Sequence, residues 1–283
     1  MAQSQPKQHA PYLSSYQPST TVHHEWRTAS NSAAHLLPTL EEKARQNPSL
    51  TLLDVGAGSG TITASLAPYM PQGKIIATDI SNDILQRAKQ HAEEVGVGEM
   101  VETQEGNVYA LPFMNGDFDV VHASMVLAHL DDPLKAVGEM IRVAKKPGGV
   151  VAMRESDLRA WSIHPEYSGL TNFNKVLCAV HMANGATVNA GAQLVSWALA
   201  QGVRRERITA TAGTWCYSTP EERQMWGGTM ADRCKNGSVR TKAIETRVAT
   251  ESDFKEMADA WERWIESEDG WFGSMHGEVL VEL

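Results

Sequence analysis

The residues best placed to do chemistry form one run, Leu52-Leu53-Asp54-Val55-Gly56-Ala57-Gly58-Ser59-Gly60-Thr61, in which an apolar strand gives way to glycines and then to a helical pattern. Glycines at such a turn let the backbone bend sharply and approach a ligand more closely than any Cβ would permit. A carboxylate closes the next apolar run, Ile75-Ile76-Ala77-Thr78-Asp79, 19 residues after Gly60. There it can accept hydrogen bonds from both hydroxyls of a ribose, or else simply cap the following helix. A nucleotide-bearing cofactor accounts for both features. The dinucleotide fingerprint G-x-G-x-x-G would place its third glycine at Thr61, and its absence counts against a nicotinamide cofactor.

These residues need strands to hold them, and the pattern supplies them. Short apolar runs at 52–55, 75–77, 118–121 and 150–153 alternate with helical stretches such as Ile84 to Val95 and Pro133 to Ala144. That alternation predicts an α/β fold: a mostly parallel sheet with helices on both faces. Ahead of it, residues 21–46 carry apolar positions at three- and four-residue steps and read as one or two amphipathic helices. Residues 1–20, rich in Gln, Ser, Pro and Thr, read as a disordered tail.

After Glu155 the strand signal stops, and 156–190 reads as a helical insertion over the rim of the sheet. Ile208 to Tyr217 is β-prone and reads as a sixth strand. Residues 219–268 read as further helices, opened by Thr219-Pro220-Glu221-Glu222, and Val279-Leu280-Val281 returns as a last strand beside the sixth. The expected organisation is one domain over 21–283, with a cofactor-binding core at 50–155 and substrate or cap insertions at 156–190 and 219–268.

Three more segments join the first two in order: Glu105-Gly106-Asn107-Val108-Tyr109-Ala110-Leu111-Pro112-Phe113, then Phe118-Asp119-Val120-Val121-His122-Ala123-Ser124 with Val126 to Leu130, then Arg142 to Gly149. Together the five segments resemble the class I S-adenosylmethionine (SAM)-dependent methyltransferases, with the spacing G-x-G-x-G at 56, 58 and 60 resembling their first motif. The subgroup most resembled includes the ubiquinone and menaquinone C-methyltransferases. The resemblance implies a Rossmann-like, seven-stranded sheet with the last strand antiparallel, and SAM across the carboxyl ends of strands one, two and four. The cofactor contacts it implies are Asp54, Gly56, Ala57, Gly58 and Gly60 in the turn, Asp79 and Ile80 after strand two, Gly106, Asn107 and Val108 at the adenine, and Ala123 and Ser124 ending strand four. Asn107 stands where the family commonly has an acid, and its amide oxygen can still accept from the adenine amino group.

SAM carries its methyl on a sulfonium, so the protein has to align a nucleophile and exclude water. A base is needed only if the acceptor must lose a proton. His129, after strand four, and Glu155, ending strand five, are the candidates, against a packing histidine and an ion-paired glutamate as the plainer readings. His122 reads as structural. Arg27 suits the planar carboxylate of SAM, against a solvated helix charge. Seven of the eight tryptophans lie beyond residue 155; most read as core, and Trp226-Gly227-Gly228 reads as a wall of an apolar acceptor pocket.

Composition bounds the partners. The net charge of −9, spread over the chain without an acidic block, argues against nucleic acid, because phosphate binding needs a basic face. The three cysteines show no metal or disulfide spacing, so no metal is expected. No apolar run reaches the roughly 20 residues of a membrane span, and a cytoplasmic address follows. The expected function is methyl transfer to a small organic acceptor, a secondary metabolite or quinone-like molecule, with a homodimer compatible. The alternatives are a nicotinamide-dependent oxidoreductase and a SAM-fold protein that binds cofactor without transfer.

Overall fold

The computed structural model describes residues 23–283; the tail expected at 1–20 lies outside them. Seven strands form one sheet: β1 (Thr51–Val55), β2 (Lys74–Asp79), β3 (Val101–Glu105), β4 (Val120–Ser124), β5 (Val150–His164), β6 (Ile208–Tyr217) and β7 (Trp271–Glu282). Their order is β3-β2-β1-β4-β5-β7-β6. Pairs among β1 to β5 are parallel, and β7 runs antiparallel to both β5 and β6. The strand order reverses direction between β1 and β4, which opens a crevice at their carboxyl ends.

The helices are α1 (Ala29–Ser32), α2 (Leu37–Gln46), α3 (Thr61–Leu66), α4 (Asn82–Glu94), α5 (Pro133–Val143), α6 (Ser168–Ala183), α7 (Ala190–Ala200), α8 (Pro220–Asn236), α9 (Ser238–Glu245) and α10 (Glu251–Glu266). Their starts follow from local chemistry. Asp132 accepts the Lys135 N–H ahead of Pro133 at α5, and the Thr219/Glu222 box with Pro220 opens α8. The core follows the two faces of the sheet. Leu53, Val121, Val151 and Val281 pack with α5 and α7 on one face, while Leu52, Ile75, Val120 and Ala152 pack with α1 and α2 on the other. A third apolar cluster, rich in aromatic rings, joins α6, α8 and α10 over the ends of β6 and β7.

Two expectations change. Strand five does not stop at Glu155: β5 runs on to His164, paired with β7 on both sides of a register shift between Ser156 and Trp161. The expected helical insertion at 156–190 therefore begins as strand, and helix starts only at Ser168. The strand is hidden in the sequence because Arg154, Glu155, Ser156 and Asp157 are polar yet buried. The last strand, expected over three residues, is twelve residues long and lies between β5 and β6.

Candidate active site

The glycine turn between β1 and α3 is tied to the end of β2: the Gly56 and Ala57 N–H groups both donate to the Thr78 carbonyl, at 2.7 and 3.0 Å. Gly56 has φ +68°, and a Cβ there would lie 2.5 Å from Cγ2 of Val126. Gly58 has φ +56°, and a Cβ there would meet nothing within 4 Å. The first glycine is thus imposed by packing, while the second faces open space. That space is a cavity of about 390 Å³ at the carboxyl ends of β1, β2 and β4, where the topology puts a ligand.

Asp79 closes β2 beside it. Its Oδ2 accepts the Gly58 N–H at 3.1 Å and its Oδ1 the Ser81 N–H at 3.2 Å. Burial raises the Asp79 carboxyl above its usual range, against the pull of those N–H donors. Each oxygen has a further lone pair, enough to receive two hydroxyls. Beside it, where the Gly106 N–H donates to the Asp79 carbonyl at 3.0 Å, Asn107 Oδ1 accepts the Tyr109 N–H at 2.9 Å. This fixes the turn after β3.

The opposite wall is the segment from Ser124 to Asp131, which Glu155 holds. The Glu155 carboxylate accepts the N–H groups of Val126, Leu127 and Ala128 at 2.7, 2.6 and 3.3 Å. Fully buried, it caps the short 3₁₀ turn Leu127–His129 and does not line the cavity. Burial pushes its carboxyl up to about 7. The expectation that Glu155 faces the reacting groups is corrected: its carboxylate is occupied by backbone.

His129 does line the cavity. Burial, followed by the fields of His181 and the guanidinium groups of Arg27 and Arg233, lowers it to about 3, so its imidazole is neutral at physiological pH. His181 stands behind it, ring centroids 6.4 Å apart, and is itself fixed by an Nδ1 bond to the Leu177 carbonyl at 2.9 Å.

Arg27, Gly56, Ala57, Gly58, Asp79, Ile80, Gly106, Asn107, Val108 and Ser124 all line the cavity, as the sequence suggested. Three expected contacts do not. Asp54 turns to the other face of the sheet, where Thr63 Oγ1 donates to its Oδ2 at 2.6 Å and His122 Nδ1 bonds its Oδ1 at 2.8 Å. Ala123 is buried in the core, and Gly60 packs against Ala88 of α4. Trp226-Gly227-Gly228 is no pocket wall either: Trp226 is buried and stacked on Tyr217 at 4.8 Å, and Gly227 makes room for Trp264 and Ile265.

His24, Tyr109 and Asp131 also line the cavity, and sequence reasoning gave them no role. Tyr109 Oη donates to Asp131 and accepts the Asp132 N–H at 3.1 Å, so burial and that carboxylate push its phenol up to about 12. The one available signal was Asp131-Asp132-Pro133, an acidic pair at a helix start that one capping residue would satisfy.

Comparison with known proteins decides the family. A family model described as a methyltransferase domain matches residues 53–153. An uncharacterized methyltransferase of Schizosaccharomyces pombe is 31% identical over 266 residues, 92% of this chain and 91% of that protein. The chain belongs to the SAM-dependent methyltransferases. The probable methyltransferase ltbC of Aspergillus luteorubrus is 29% identical over 95% of this methyltransferase and 96% of its own length. Among solved structures, the YcgJ protein of Bacillus subtilis shares the fold at a TM-score of 0.55 and 21% identity, covering 87% of this chain and 97% of its own. With membership shown, the nicotinamide alternative falls.

The cavity fits the cofactor on its own geometry. Gly58 with open space beside it, the carboxylate of Asp79 and the amide of Asn107 all line it, which offers close backbone approach, acceptors for a pair of hydroxyls and an amide for a base edge. Among the described residues no His, Cys, Asp and Glu cluster could hold a metal, and no helix is long and apolar enough to cross a membrane.

Proposed function

We propose that the methyltransferase transfers the methyl group of SAM to a small organic acceptor, a secondary metabolite or quinone-like molecule, in the manner of the ubiquinone and menaquinone C-methyltransferases. The observation that carries this reading is the lining of one cavity, which brings Gly56, Gly58, Asp79 and Asn107 together with His24, Arg27, His129 and Asp131.

When bound, SAM supplies an activated methyl whose leaving group needs no protonation. The chain supplies position. Asp79 receives the ribose hydroxyls, the Asn107 amide meets the adenine edge, and Arg27 pairs with the cofactor carboxylate. His129, held neutral by burial, accepts a hydrogen bond from the acceptor and orients it. With its conjugate acid near 3 it is too weak a base to hold the proton of an ordinary hydroxyl. Alignment of acceptor and cofactor therefore carries most of the rate.

Calorimetric titration with S-adenosylhomocysteine should give one site per chain, and the absence of heat from a folded sample would end the cofactor reading. The acceptor is found by incubating the protein and labelled SAM with a small-molecule extract. The expected result is a labelled product 14 daltons heavier than its precursor, formed only when both are present.

A further inference from the structure

Trp215, on β6, is buried at 3% exposure and meets the N-terminal segment across 184 residues of sequence. Its indole N–H donates to the Asn31 carbonyl at 2.8 Å. Asn31 in turn grips the stretch that carries Arg27: its Nδ2 donates to the Trp26 carbonyl at 3.0 Å, and its Oδ1 accepts the Thr28 N–H at 2.8 Å. The Arg27 guanidinium itself lies 5.0 Å from the centre of the Trp215 ring. Arg154, which is paired with Glu278 at 3.2 Å, lies 4.7 Å from the same ring.

We infer that Trp215 is the positioning residue for Arg27, fixing its backbone through Asn31 and its guanidinium through the ring face, so that Arg27 meets the amino-acid end of SAM. This rests on the role of Arg27 proposed above. A π face holds a guanidinium through its plane without cancelling its charge. Trp215 is buried and Arg27 half-buried, so the contact is partly desolvated. Arg154, paired with Glu278 through Nε, lies over the same ring, where it feels the charge of Arg27.

The test compares S-adenosylhomocysteine with 5′-methylthioadenosine, which keeps the adenosine and thioether but lacks the amino-acid tail. Calorimetry on the full chain, as wild type and as Trp215→Leu, Trp215→Phe and Arg27→Gln, reads both affinities. Trp215→Leu should weaken S-adenosylhomocysteine about tenfold while leaving methylthioadenosine within about twofold, and Trp215→Phe, which keeps a π face, should lose about threefold. Arg27→Gln should lose about tenfold or more on the same ligand alone.

An equal loss of both ligands in the Trp215 variants means general loosening and overturns the inference, as does no loss of either. Should Trp215→Leu fail to fold, the ratio measured on Trp215→Phe decides. Selective loss in Arg27→Gln with none in the Trp215 variants overturns the inference and keeps the Arg27 reading. No selective loss in Arg27→Gln overturns both.

Discussion

The Glu155 carboxylate accepts the Leu127 N–H at 2.6 Å from beneath the loop that carries His129 into the cavity. A residue with the sequence profile of a catalytic base is thus a loop anchor. Replacing it by Gln puts an amide N–H₂ against backbone donors, and at least one buried N–H loses its acceptor. The expected cost is about 1–3 kcal/mol in urea unfolding, together with weaker S-adenosylhomocysteine binding because the loop forms one wall.

The same group gives a pH dependence. Burial lifts Glu155 from 4.5 to about 7, so the folded chain holds the proton more tightly than the unfolded chain. That contribution to stability is complete below about pH 4.5 and is lost as pH rises through about 7, amounting to about 3 kcal/mol. Unfolding of wild type and Glu155→Gln in parallel from about pH 4.5 to about pH 8 should show wild type losing stability relative to the variant. A constant difference would mean that the carboxylate stays ionised throughout and that the three N–H donors outweigh burial.

His129 is displaced in the opposite sense. Its folded-state value near 3 lies below the 6.5 of the unfolded chain, so the folded imidazole stays neutral while the unfolded one takes up a proton, and stability falls as pH drops from about 6.5 toward 3. Ring resonances of His129 followed by NMR should show no titration between about pH 5.5 and about pH 8. An inflection near neutrality would restore it as a general base. Once an acceptor is in hand, His129→Gln should keep turnover within about tenfold, since a lost hydrogen bond and not a lost base is at stake.

How much of this was legible depended on whether a residue's neighbours in sequence were also its neighbours in space. The parallel core was readable because each strand is a local apolar run and each turn a local glycine or carboxylate, so Gly56, Gly58, Asp79 and Asn107 fell where expected. Asp54 was misread because its direction is set by His122, 68 residues away. Glu155 was misread because only the folded loop shows it three N–H donors. The second half of β5 was hidden because Ser156 and Asp157 are polar yet buried, and Asp157 is satisfied by Arg159 of the same strand. His24 and Asp131 reach the cavity through the packing of segments that carry no motif.

Asp79 and Arg27 should separate by ligand. Asp79→Ala removes the ribose acceptors and the bond to the Gly58 N–H, so it should weaken S-adenosylhomocysteine and methylthioadenosine alike. The expected loss is about 10- to 150-fold, or about 1.5–3 kcal/mol for bonds to a charged group. Equal affinities in variant and wild type would remove Asp79 from the ribose.

The two glycines of the turn give a last contrast, because one is held by packing and the other by the ligand. At Gly56 an added methyl would lie 2.5 Å from Val126 Cγ2 at a φ of +68°. Gly56→Ala should therefore cost stability through both clash and backbone strain, about 1–3 kcal/mol in chemical denaturation, and adding Val126→Ala should recover only the clash. At Gly58 the methyl meets no protein atom, leaving only the strain of a φ of +56°. Gly58→Ala should lose about 1 kcal/mol of stability but bind S-adenosylhomocysteine at least about tenfold more weakly, because the methyl projects where the cofactor must approach the backbone. If Gly58→Ala binds normally, the cofactor does not approach this face of the turn. If Val126→Ala fully rescues Gly56→Ala, the strain at Gly56 is negligible and packing alone selects the glycine.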